Sequence, residues 1–263
     1  MKIDASIVES YLNNKPEHTY SNHIVYDLIE PGKNVFMAPD YSRIHEVREC
    51  YEKFSKAIED FSFRNSDLIA EIFGDITSAL AKTNIILTVG MPPIYDAMVR
   101  DYEDDLFVIF DLMNCVNYLS QGIDLSKMLN GLLTHELIHI LIFESYPSED
   151  DLDYIDYLNY ITFHEGFAHL LSYVEDILLY QPDDKIYKER FKKAKVKLAT
   201  ALTELDPKLQ QKYRLEANTG SYWDKFGSIA SKLYLMKHMK ELKSIYDDGW
   251  KKYVDKVINY NWD

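Results

Sequence analysis

The sequence predicts a mainly α-helical protein of the α+β class, and three observations carry that prediction. Apolar residues recur at three- and four-residue spacing through most of the chain. Two short β-branched or aromatic runs, at 84–89 and 106–110, interrupt the pattern before the middle of the sequence. No repeat, low-complexity tract or Pro/Gly/Ser-rich linker divides the 263 residues. One domain is therefore expected over 1–263, divisible into an N-terminal lobe 1–123 with the small sheet and a helical lobe 124–263.

The elements follow in order. Ile44, Val47, Tyr51, Phe54 and Ile58 mark a helix over 42–60, and Leu68, Ile69, Ile72, Phe73, Ile76 and Leu80 mark a second over 66–82. The runs Asn84–Val89 and Leu106–Phe110 read as two strands, separated by Pro92-Pro93 and an acidic turn from Asp101 to Asp105. After Gly122, Asp124 or Ser126 can cap a helix running to Glu144, which Tyr146-Pro147-Ser148 ends. A long helix over 153–180 stops before Pro182, and further helices are expected over 183–204, 223–246 and 248–260.

Charge narrows the function. The chain carries 43 acidic and 29 basic residues, a net charge of −14 and a pI near 5.0. That balance argues against nucleic acid or an anionic membrane as partner, since both require cationic surface. The acid is concentrated: residues 128–184 hold 12 Asp and Glu and no Lys or Arg, whereas 185–263 hold 18 basic and 10 acidic residues. The acidic middle can attract a divalent cation and basic substrate groups, or simply pack against the cationic C-terminal third. No apolar stretch approaches the 18 residues that span a bilayer, and the first 18 residues lack the apolar run of a secretory signal. With two cysteines only, Cys50 and Cys115, a reducing, cytoplasmic setting is expected. No pattern specifies an oligomeric state.

The helix over 124–144 contains Thr134-His135-Glu136-Leu137-Ile138-His139, an HExxH motif. Residues four apart share one helix face, so His135 and His139 can offer two imidazoles to one metal ion. Glu136 lies one step around the helix, placed to act on a water without ligating the metal. Four of the eight histidines fall between 135 and 169. In that window, Phe163-His164-Glu165-Gly166-Phe167-Ala168-His169 lies on the next long helix and supplies a third ligand. Glu165 is favoured, because Gly166 and Ala168 beside it allow a close approach to the HExxH helix. His169 competes as ligand or supports the site from behind, while His164 points about 100° away from Glu165 and reads as packing.

HELIH followed by a helical Glu-Gly-Phe-Ala resembles the gluzincins, the zinc metallopeptidases of the thermolysin-like superfamily, and within them the small zinc proteases with HExxH and a downstream EGxA. The resemblance covers about residues 84–180. It implies a zincin-like fold, one zinc ion held by His135, His139 and Glu165, Glu136 as general base, and a peptide or protein substrate. It also implies that the strand Leu106–Leu112 is the edge strand that aligns substrate. Such enzymes often carry an Asp four residues after the ligand Glu; this sequence has His169 there. The alternative is a zincin-like metal-binding or regulatory protein without turnover.

The reaction also needs a donor to the oxygen that becomes negative. Tyr222, at the Gly/Ser-rich break Thr219-Gly220-Ser221 before a helix, is the leading candidate, with His238, Tyr213 and Arg214 as alternatives. Among the remaining features, Phe226–Ser231 has small residues at helical spacing and is expected to pack closely against another helix. The basic run Lys185–Lys197 reads as a solvated or ion-paired face, and Cys115 as a core or loop thiol.

Overall fold

The apolar runs at 84–89 and 106–110 become the two central strands of a small sheet. The computed structural model describes residues 1–15, 22–29, 37–92, 96–103, 105–119, 121, 123–147, 152–181 and 184–262. Its elements in chain order are β1 (Lys2–Asp4), α1 (Ser6–Leu12), α2 (Val25–Leu28), α3 (Ile44–Glu59), α4 (Ser66–Phe73), α5 (Thr77–Lys82), β2 (Thr83–Thr88), β3 (Ala97–Tyr102), β4 (Asp105–Asp111) and α6 (Leu112–Leu119). There follow α7 (Leu125–Ser145), α8 (Tyr154–Leu171), α9 (Asp184–Leu202), α10 (Pro207–Glu216), α11 (Phe226–Lys237), α12 (Leu242–Asp247) and α13 (Tyr253–Asn259). The mainly helical α+β class is as the sequence predicts. Pro93, Asp104, Gly122, Ser148 and Pro182, which figure in the expected turns and helix ends, lie outside the described residues.

The chain divides into two compact units, Met1–Phe63 with Ile76–Ile140 and Arg64–Asp75 with Leu141–Asp263. In the first, the strand order is β1-β2-β4-β3, with β1, β2 and β4 parallel and β3 antiparallel to β4. Ile85 pairs with Val108 and Leu87 with Phe110, and Ile86 and Ile109 between them are buried as well. Burial on both faces explains why these strands read as continuous apolar runs. Strand β4 is thus interior, which corrects the expectation that Leu106–Leu112 forms the edge; the antiparallel edge is β3, and Leu112 already belongs to α6. Helix α3 buries Val47, Cys50, Phe54 and Ile58, and the Phe54 ring meets Phe110 edge-on at 4.7 Å. Tyr51 sits beside this stripe, half-buried, and its hydroxyl donates to Glu9.

The expected helix over 66–82 is two helices, broken at Gly74, whose φ of +75° only glycine adopts without strain. Its first half belongs to the second unit. Asn65 Nδ2 donates to the Leu171 and Val174 carbonyls at 2.7 and 2.9 Å, and Asn65 Oδ1 accepts from Ile177 N at 2.7 Å. Helix α8 ends at Leu171, shorter than expected, because these bonds tie the chain beyond it into a turn.

Helix α8 is the hub of the second unit and is buried on nearly every face. Phe163 meets the rings of Phe167, Tyr146 and Tyr253 at 5.0, 5.6 and 5.2 Å. Helix α11 packs against α8 and α9, as the small residues of 226–231 predict. The approach is close: a Cβ on Gly166 would overlap the Ser231 side chain, and one on Gly227 would stand 2.9 Å from Thr162 Oγ1. Gly166 therefore serves α11, which corrects the sequence-based reason given for it. The helix expected over 223–246 is interrupted at His238 and resumes as α12, and α13 starts later than its expected 248. On α9 the lysines face outward while Tyr187, Phe191, Ala194 and Leu198 are buried; Lys193 pairs with Asp224 and Lys197 with Glu216, so this basic face is partly neutralised from within the C-terminal third.

Candidate metal centre

Helix α7 is long because Leu129, Leu133, Leu137, Ile138, Leu141 and Ile142 are buried along it, and because the Asp124 carboxylate accepts from Ser126 N at 3.1 Å at its start. His135 and His139 project together from one face and remain partly exposed. Their Nε2 atoms lie 3.2 Å apart, with ring planes at 82°. Two nitrogens bound at about 2.1 Å to one tetrahedral ion stand about 3.4 Å apart, so the pair fits a shared zinc. Glu136, one residue on, is buried at 6% exposure.

Helix α8 presents a second pair. Its N-cap, Asp153, accepts from Asp156 N at 2.8 Å and fixes the start of the helix. Three turns on, Glu165 Oε2 lies 3.4 Å from His169 Nε2, the separation two ligands of one ion adopt, and both residues are below 10% exposure. Burial pushes the His169 imidazole below its usual value, against the opposing pull of the Glu165 carboxylate, which favours the neutral ring that ligates metals. Asn218 Nδ2 lies 3.4 Å from Glu165 Oε1 and donates to it. Sequence reasoning missed Asn218; its only signal was its place beside the flagged Thr219-Gly220 break. His164 is core, with its ring 4.0 Å from Tyr160 and 5.3 Å from Phe143.

Tyr222 meets the His169 ring edge-on at 5.4 Å, and its hydroxyl accepts from Lys232 Nζ at 2.7 Å. Burial pushes the phenol well above its usual value, so the hydroxyl keeps its proton. The alternatives are engaged in packing. His238 Nδ1 lies 2.8 Å from the Tyr234 carbonyl, Tyr213 packs on Phe226, and Arg214 donates to the Leu152 carbonyl and covers the Tyr157 ring at 4.5 Å. Cys50 and Cys115 are free and buried. Among the described residues no helix is long and apolar enough to cross a membrane.

His135, Glu136 and His139 belong to the first unit, and Glu165, His169, Asn218 and Tyr222 to the second. Each unit thus brings a pair of side chains of metal-ligating type together on one helix. The family model described as "Putative zinc dependent peptidase (DUF5700)" matches residues 9–258. No curated protein and no solved structure matches.

Proposed function

As the chain belongs to this zinc-dependent peptidase family, we propose that it hydrolyses peptide bonds at one zinc ion held by His135, His139 and Glu165. The observation that carries the reading is the 3.2 Å separation of the two α7 imidazole nitrogens, the spacing that a shared tetrahedral ion requires. The α8 pair supports it by donor chemistry, since a carboxylate and a neutral imidazole 3.4 Å apart are ligand types that hold zinc. The arrangement of an HExxH helix followed by a glutamate helix is that of a gluzincin.

Bound zinc supplies a Lewis acid that acidifies a water towards a pKa of about 7 and polarises a carbonyl. Glu136 takes the proton of the attacking water and returns it to the leaving amine as the carbon–nitrogen bond breaks. Asn218, through its hydrogen bond, orients the Glu165 carboxylate. Tyr222, with its proton retained, donates to the carbonyl oxygen as that oxygen becomes negative. Residues 128–184, without a basic side chain, favour the cation and basic groups on a peptide.

The test is Glu136→Gln. It and the unmutated protein should each bind about one zinc per chain, and it should lose about 10²–10⁴-fold in kcat on a cleaved peptide. Retained activity sinks the mechanism. A second reading, metal binding without turnover, draws on one observation: His169 stands at ligand distance from Glu165, and a fourth protein ligand would fill the position that water needs. Cleavage of a peptide library, abolished by chelator and restored by zinc, excludes that reading; zinc binding with no cleavage establishes it.

A further inference from the structure

Lys232 is a charged residue type in a place where such residues are not found without a reason. It lies in the middle of α11 at 0% exposure, among Gly227, Ser228, Ile229, Ala230, Ser231 and Leu233, all buried too. No carboxylate among the described residues stabilises its charge. Among the described residues the Arg190 guanidinium, itself stacked 3.5 Å over the Trp223 ring, acts on the amine and opposes its protonation. Burial and this repulsion hold the amine well below its ordinary value. Replacing a buried amine that lacks a carboxylate partner with an apolar side chain ordinarily improves stability, so a lysine here costs the fold something that packing does not return.

Its surroundings are directed. Lys232 Nζ sits 2.9 Å above the centre of the Tyr173 ring, and that ring is anchored by a 2.8 Å hydrogen bond between the Tyr173 and Tyr187 hydroxyls. The Tyr222 and Trp223 rings close the enclosure, with centres at 5.2 and 5.6 Å. The one hydrogen bond among the described residues in which the amine donates to an oxygen is the 2.7 Å bond to Tyr222. A phenol oxygen that accepts from an amine still has its own O–H, and the accepted bond fixes the torsion of that O–H and strengthens it as a donor. The same Tyr222 ring leans on His169.

We infer that Lys232 is a positioning residue for Tyr222, occupying one side of the phenol oxygen so that its proton is turned towards the oxygen of the scissile carbonyl. The inference rests on the peptidase reading for its catalytic consequence, but the lysine–tyrosine pair stands apart from it.

The experiment uses the 263-residue chain labelled with 3-fluorotyrosine, the Tyr222 resonance being assigned by its disappearance in Tyr222→Phe. Lys232→Met should fold, with a Tm equal to or above that of the unmutated chain, and should shift the Tyr222 fluorine resonance. Its kcat should fall at least about tenfold with KM unchanged, Tyr222→Phe should fall about 10²-fold, and the double variant should be no worse than Tyr222→Phe alone. An unmoved Tyr222 resonance, or unmutated kcat in Lys232→Met, overturns the inference. A lysine of purely structural value would instead lower Tm, and that result also counts against it. If Lys232→Met does not fold, the unmutated chain decides: a Tyr222 resonance at the position of an exposed tyrosine overturns the pair, and one displaced from it supports the pair. If the unmutated chain cleaves no peptide, the peptidase reading fails on its own while the fluorine shift still decides whether Lys232 holds Tyr222.

Discussion

Gly166→Ala is the most informative single substitution outside the proposed ligands, because it adds one methyl group beside Glu165 where α8 and α11 approach closely. The new Cβ would overlap Ser231 Oγ and Cβ but would stand 3.4 Å from the Ser231 backbone carbon, an ordinary contact. The obstruction is therefore one side chain, and that side chain is engaged: Ser231 Oγ bonds the Tyr253 hydroxyl at 2.7 Å, with both residues at 0% exposure. Overpacking costs about 1–3 kcal/mol. Displacing Ser231 leaves the buried Tyr253 hydroxyl unpartnered for about 1–2 kcal/mol more. Alanine returns about 1 kcal/mol of helix propensity. The net is a loss of about 1–4 kcal/mol, or about 2–16 °C in Tm at about 2–4 °C per kcal/mol for a chain of this size. Thermal unfolding followed by circular dichroism measures it. Ser231→Gly removes the obstructing side chain, so the Gly166→Ala/Ser231→Gly pair should lose less than the sum of the two singles. A Gly166→Ala protein as stable as the unmutated one, or a strictly additive double variant, refutes the argument.

Two further outcomes are expected beside those of Glu136→Gln and Lys232→Met. His169→Ala should weaken zinc binding about 10–100-fold in competition with a chelator, as loss of a ligand's supporting contact does; a loss as large as that of Glu165→Ala would instead make His169 a ligand. Asp111, at 0% exposure, accepts from Met91 N at 2.6 Å and Asn114 N at 2.8 Å, yet burial lifts its carboxyl from 3.8 to about 7. A raised carboxyl pKa means that the folded state holds the proton more tightly than the unfolded one. Its contribution is therefore fully present below about pH 4 and is lost as pH rises through about 7. The Tm difference between the unmutated chain and Asp111→Asn should change between those values and be flat above them; a constant difference across the range refutes the assignment.

The parts of the fold legible in sequence are those where one element buries a regular face. The α3 stripe and the doubly buried β2 and β4 runs announce themselves, and α7 and α8 carry enough apolar residues to mark their length. Strand β3 escapes notice because Arg100 and Asp101 sit in an edge strand with little apolar alternation. Helix α10 buries no residue and so has no stripe to read. The break of α11 at His238 has neither Gly nor Pro to signal it. Of the candidate site residues, HExxH and Glu165 are visible because metal-ligating residue types at a fixed local spacing form a pattern, whereas Asn218 and Lys232 are tied to Glu165 and Tyr222 by contacts 53 and 10 positions apart. A lysine within helical spacing reads as solvent-facing, and only the packing of α11 against α8 and α9 shows otherwise.

The bond from Val254 N to Asn159 Oδ1, 2.9 Å across 95 positions of sequence, has a bearing on how the protein is made. Asn159 is buried on α8, two turns before Glu165, and Ser231 on the neighbouring helix waits likewise for Tyr253. A ribosome delivers α8 well before it delivers α13, so for that interval these groups have only water or improvised neighbours to bond. The glutamate helix reaches its final seat only after residue 254 has emerged. The second unit therefore completes its buried hydrogen bonding only once α13 has been made.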